Sequence, residues 1–168
     1  MATQIIDNIA NIALALSFIA ALIFGVAQVK AAARDRRERF TLDALRNFQT
    51  REFAELITYI TTHDMPKTRD ELRALSENEQ IMFIQLSQQM ESLGLLVAVQ
   101  LISIDLVDRT LGSFVTTTWE KYKTMFLDIR EKTPDPYLGE YFQWLAERIE
   151  ERMRENPRKP FYKTPGSQ

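Results

Sequence analysis

Few residues in this chain are of the kinds that carry catalysis. The lone histidine, His63, stands next to Asp64, a pairing of the type that holds metal in phosphohydrolases. Such centres draw on several further histidines, and the chain has none. Nucleophilic catalysis of the Ser-His-Asp kind would have to use the same His63, and no strand-turn-helix setting for a nucleophile is evident. The five glycines are scattered, so no loop is built to wrap a phosphate in successive backbone amides. The lack of cysteine removes disulfides, thiolate metal sites and cysteine nucleophiles, and fits a reducing compartment. No catalytic, cofactor-binding or metal-ligating residue is therefore assigned, and no cofactor is expected.

The ionisable residues that remain of interest lie beside apolar patterns: Glu91, Asp105, Asp108, Arg109, Glu120 and Arg130. Glu91 falls one turn before Leu95 in an apolar region, where an unpartnered carboxylate would cost several kcal/mol. It must meet a base, for which Arg109 and Arg130 are candidates, or a capping amide. Structural ion pairing is the expected role. The alternative is a polar pocket for a ligand or metal formed by Glu91, Asp105, Arg109, Glu120 and Arg130, because two carboxylates can act as general acid and base. Trp119, Trp144, Tyr122, Tyr137 and Tyr141 could form a recognition patch, although core packing explains most of them equally well.

The elements that must hold these residues begin with a membrane anchor. From Asn8 to Val29 no residue is ionisable, and 22 helical residues reach roughly 33 Å, enough for a hydrocarbon core about 30 Å thick. A buried soluble helix usually keeps a polar stripe, whereas this one is apolar all round. A cleaved signal peptide carries its bases ahead of the apolar run, and residues 1–8 have no Lys or Arg. All the local bases follow instead: Lys30, Arg34, Arg36, Arg37 and Arg39. The positive-inside rule then places the N-terminus outside and the remaining chain in the cytoplasm, with the bases available to anionic lipid headgroups. Ala13, Ser17, Ala21 and Gly25 recur at every fourth position, a small-residue stripe along which a second span could approach closely, as in a homodimer.

Beyond the anchor the periodicity is helical and no segment alternates as a strand would. The expected fold is all-α, one N-terminal transmembrane helix (1–30) and a basic juxtamembrane helix (31–50), followed by a compact cytoplasmic bundle of about four to five helices (51–155) and a disordered tail (156–168). Phe40, Leu45 and Phe48 mark the drier side of the juxtamembrane helix. Thr50, Thr68 with Glu71, and Ser76 with Glu79 read as helix starts, the last two as capping boxes. Phe83, Leu86, Met90, Leu93, Val97 and Leu101 define a central core helix, and Leu111, Val115, Trp119, Tyr122, Phe126 and Ile129 another. Asp135 and Pro136 open the last helix, which sets Leu138, Phe142, Leu145, Ile149 and Met153 inward. The proline-rich tail has little to bury, and its Arg158, Lys159 and Lys163 are expected mainly in solvent.

The order of residues from Met90 to Arg148 resembles a family of bacterial single-pass membrane proteins carrying a domain of unknown function. The matching positions are Glu91, Leu93, Gly94, Asp105, Leu106, Val107, Gly112, Trp119, Glu120, Arg130, Tyr137, Phe142, Trp144 and Leu145. Gln89 and Met90 depart from the pattern, where aromatics are commoner. The resemblance implies an all-helical domain behind a single anchor and brings no reaction with it. The net charge of −2 argues against a nucleic-acid partner. The expected function is that of a membrane-anchored cytoplasmic binding or scaffold module whose partners are membrane lipid, an unidentified protein and a second copy. The alternatives are a small membrane-bound hydrolase or metal-dependent enzyme using acidic residues, and an accessory subunit of an envelope or transport assembly.

Overall fold

The structure, a computed structural model, describes residues 2–158, with side chains from residue 12 onward. Lys159 and Lys163, expected in solvent, lie with most of the predicted tail outside the described residues. The described chain forms six α-helices and no strand: α1 (Ala2–Arg46), α2 (Arg51–Thr62), α3 (Arg69–Ala74), α4 (Glu77–Ala98), α5 (Ile104–Lys132) and α6 (Glu140–Glu155). They divide into two units, Met1–Arg39 and Phe40–Gln168.

In the first unit, every described residue of α1 is exposed, among them Ile12, Leu16, Phe18, Leu22, Phe24 and Val29. A helix apolar on all sides has no preferred face to bury in a protein core, and α1 is long and apolar enough to cross a membrane.

The second unit is the helical bundle. α6 packs against both α4 and α5. Its core joins Leu86, Met90 and Leu93 from α4, Val107, Val115 and Met125 from α5, and Phe142, Leu145 and Ile149 from α6. Aromatic rings fill the middle: Trp119 meets the edge of Phe142 at 5.2 Å between centroids, and Phe83 stacks on Tyr122 at 5.1 Å, geometries that suit the ring quadrupole.

Local signals set the starts of α2, α3 and α4. The Thr50 hydroxyl accepts from the Phe53 amide and opens α2. At α4 the capping box is complete: Ser76 accepts from the Glu79 amide, and Glu79 accepts from the Ser76 amide at 2.9 Å. Thr68 caps α3 through the Glu71 amide, but the Glu71 carboxylate accepts from Lys67, one residue before the cap, so this box is only half formed. The buried Thr41 hydroxyl accepts from the Ser103 amide at 3.0 Å, joining the end of α1 to the start of α5.

Three expectations are corrected. α4 ends at Ala98 in a Schellman motif, with the Leu101 amide donating to Leu96 O and that of Gln100 to Val97 O. Gln100 takes the left-handed position (φ 61°) and Leu101 turns outward. α6 starts at Glu140 rather than Pro136. The Tyr137 amide is drawn to Asp135 Oδ1, and Gly139 at φ 74° interrupts the helical path; Leu138 and, at the far end of α6, Met153, both expected inward, are exposed. Phe40, assigned to the drier side, is exposed, while Leu45 is buried.

Candidate functional site

The ionisable residues next to the core serve chiefly to finish the ends of other helices. α6 has no side-chain cap of its own at Gly139, and a helix start leaves four amides without partners. Glu91 supplies what is missing: its carboxylate, reaching from α4, accepts from the Phe142 amide at 2.9 Å and the Tyr141 amide at 3.3 Å. The capping amide, not Arg109 or Arg130, is the partner Glu91 requires. One turn on, Gly94 lets the two backbones touch, for a Cβ there would collide with the Tyr141 carbonyl. Asp128 of α5 plays a similar part at α3, accepting from the Arg69 amide at 2.8 Å. Lys121 donates to Ile60 O at the last turn of α2, at 2.7 Å, a cation at the negative end of a helix.

The remaining members of the predicted polar pocket take separate partners. Glu120 is exposed and pairs with Lys123 at 2.7 Å. Arg130 donates to Leu138 O at 2.8 Å and to Gln143 Oε1 at 2.7 Å, bracing the turn before α6. Asp105 pairs with Arg152 and, together with Arg109, lines a polar depression of about 300 Å³ between α5 and the C-terminal half of α6. Four acids and four arginines surround this depression, so its fixed charges balance. Among the described residues no group of three or more His, Asp or Glu is placed to hold a metal ion. His63 stacks on Tyr59 at 4.3 Å, with Nδ1 near the Thr62 hydroxyl and Tyr59 O. Tyr59 in turn donates to Glu79 at 2.8 Å. Partial burial, and then the bond to Glu79, push the Tyr59 hydroxyl up to about 12. Bonds from Ser76 and then from Tyr59 hold the Glu79 carboxyl below its ordinary value.

The motif positions have distinct places. Leu93, Trp119, Phe142 and Leu145 are buried in one core. Trp144 stands on the other flank of α6 and is partly exposed, because the helical phase that buries residues 142, 145, 146 and 149 turns 144 away. Gly112 makes room for the Asp108 carboxylate and for Ile149. In α1, Ala13, Ser17, Ala21 and Gly25 are exposed; the Ser17 hydroxyl is spent on Ala13 O at 2.8 Å, and open space surrounds Gly25. Lys30, Arg34, Arg36, Arg37 and Arg39 are exposed as well, with Arg34 paired to Glu38 at 2.9 Å.

The feature that sequence reasoning missed is the outward face of α4. Ile81, Ile84, Gln85, Gln88, Ser92, Leu95 and Val99 are all exposed, and at 100° per residue they fall on one stripe without a charge. Beside it lies an apolar groove of about 250 Å³ lined by Ala44, Phe48, Gln88, Gln89, Leu93 and Leu96. The Gln89 side-chain oxygen is buried there without a hydrogen-bond partner. The stripe could have been found in the sequence as a second apolar phase on α4, opposite the core phase.

No curated protein and no solved structure matches the chain. One family matches residues 15–149, from within the apolar part of α1 through the buried Ile149 of α6. The stretch covers Glu91, Gly94 and every core position of the bundle, and the chain therefore belongs to the family described as Domain of unknown function (DUF4760).

Proposed function

We propose that this protein is a membrane-anchored binding module that presents the outer face of α4 to a helical protein partner on the cytoplasmic side of a bacterial plasma membrane. The observation that carries the reading is the uncharged stripe. From Ile81 to Val99 it runs about 27 Å at 1.5 Å per residue, and its large apolar members are 39–53% exposed. Soluble helices normally set charge on their solvent face, and exposed apolar patches of this kind mark interaction sites. A partner helix would lay its apolar residues along the stripe and place a side-chain donor on Gln89 in the adjoining groove. The orientation rests on the bases from Lys30 to Arg39 and the lack of any in residues 1–8. The same bases hold anionic headgroups, and the stripe of Ala13, Ser17, Ala21 and Gly25 brings two copies together in the bilayer.

Photo-crosslinking in native membranes tests this reading. A crosslinker at Ile84 or Leu95 should trap a discrete protein product, and one at the equally exposed Leu127 of α5 should not. Identical products from all three positions would remove the α4 face as the site. A reporter fused after Gln168 should be active only in the cytoplasm, and activity on the far side of the membrane would reverse the assigned orientation.

A further inference from the structure

A second feature, independent of the α4 face, lies where the end of α6 meets α5. Asp108 is only 5% exposed, and a carboxylate so placed demands a compensating cation. Its position depends on Gly112, since a Cβ there would come within 2.6 Å of Asp108 Oδ1 and 3.4 Å of Ile149 Cγ2. The missing side chain leaves room beside the Asp108 carboxylate and one Ile149 methyl, in the polar depression that Asp105, Arg109 and Arg152 also line. Arg158, two residues beyond the end cap of α6 at Asn156, enters it. Arg158 Nη2 lies 3.2 Å from Asp108 Oδ1 and 3.6 Å from where the Gly112 Cβ would be. The contact is at ion-pair distance without hydrogen-bond alignment, so Asp108 Oδ1 keeps unused acceptor capacity. A planar, weakly hydrated guanidinium suits a nearly buried carboxylate with a methyl group beside it better than a compact, strongly hydrated ammonium does.

We propose that the Asp108–Gly112 niche is a guanidinium-binding site whose resident is Arg158, and that this exchangeable pair straps the segment following α6 onto α5. The strap is releasable because the guanidinium arrives on chain that has already left the helix, with its side chain still 38% exposed.

The native chain has no cysteine, so Lys159→Cys in the full-length protein, reconstituted in lipid nanodiscs, gives a single site for a nitroxide label next to the strap. The wild-type background should show a dominant immobilised spectral component, and adding Arg158→Ala should raise the mobile fraction at least threefold. N-acetyl-arginine amide should mobilise the label in the wild-type background, while N-acetyl-lysine amide at the same concentration should not. An unchanged spectrum on Arg158→Ala would overturn the strap. Equal action by the two amides would reduce the contact to unspecific ion pairing and overturn the guanidinium assignment. Asp108→Asn, with folding checked by circular dichroism, should reproduce the Arg158→Ala spectrum; a wild-type spectrum there would remove Asp108 as the binding group.

Discussion

Glu91 and Gly94 act as one device at the scale of single residues: the carboxylate holds the α6 amides, and the glycine lets the backbones approach. Glu91→Ala should cost about 1–2 kcal/mol, the range for losing a helix cap. Glu91→Gln should cost less, because it retains a neutral acceptor. Gly94→Ala should cost more than either, since its Cβ meets backbone at Tyr141, which cannot swing aside as a side chain would. Urea melts of the full chain in detergent would rank the three, and a harmless Gly94→Ala would show that α6 is not seated as described. The need for a partner at Glu91 was legible in the sequence, because an acid in an apolar run must be satisfied. Which partner it takes was not. Arg109 and Arg130 are equally plausible on charge, and only the fold brings residues 50 positions apart into contact.

At the scale of elements, helices with local start signals were legible and the one capped from a distance was not. Thr50, Ser76 and Glu79 lie within the segments they cap, so their spacing announces α2 and α4. α6 borrows its cap from α4, and its sequence offers Asp135 and Pro136 as a false start. Its packing phase was still readable, because Phe142, Leu145 and Ile149 repeat at helical spacing whatever starts the helix. Leu145 is fully buried, so Leu145→Ala should destabilise the bundle by about 2–5 kcal/mol. Leu127→Ala, on the exposed side of α5, should stay within about 0.5 kcal/mol. Similar melting temperatures for both variants would mean that α6 is peripheral to the core. The outward stripe of α4 escaped notice for a related reason. A sequence shows that residues are apolar, but two apolar phases on one helix can be sorted into core and surface only when its neighbours are known.

The molecule as a whole should be most stable across the neutral range, with losses at both ends. Glu79 and Asp128 have lowered folded values, from Ser76 and Tyr59 bonding the first and from Lys132 and the Arg69 amide bonding the second. Groups shifted this way add stability above their ordinary values of 4.5 and 3.8, and it is lost as pH falls through the lowered folded values. Tyr59 and Tyr122 are raised, chiefly by burial. Their contribution is complete below the ordinary value of 10.0 and is lost as pH climbs above it through their raised folded values. Melting temperature against pH should therefore form a plateau that falls in acid and again above about pH 10, and Tyr122→Phe should flatten the alkaline limb. A curve flat to pH 3, or an alkaline limb unchanged in Tyr122→Phe, would contradict these assignments. The borrowed cap of α6 also bears on the order in which the chain acquires its structure. The first turn of a helix is its costliest step, and for α6 that step is eased by a side chain 50 residues upstream. A ribosome delivers Glu91 well before the amides of Tyr141 and Phe142, so when the last helix emerges its nucleation site is already made, on a segment able to have folded before it.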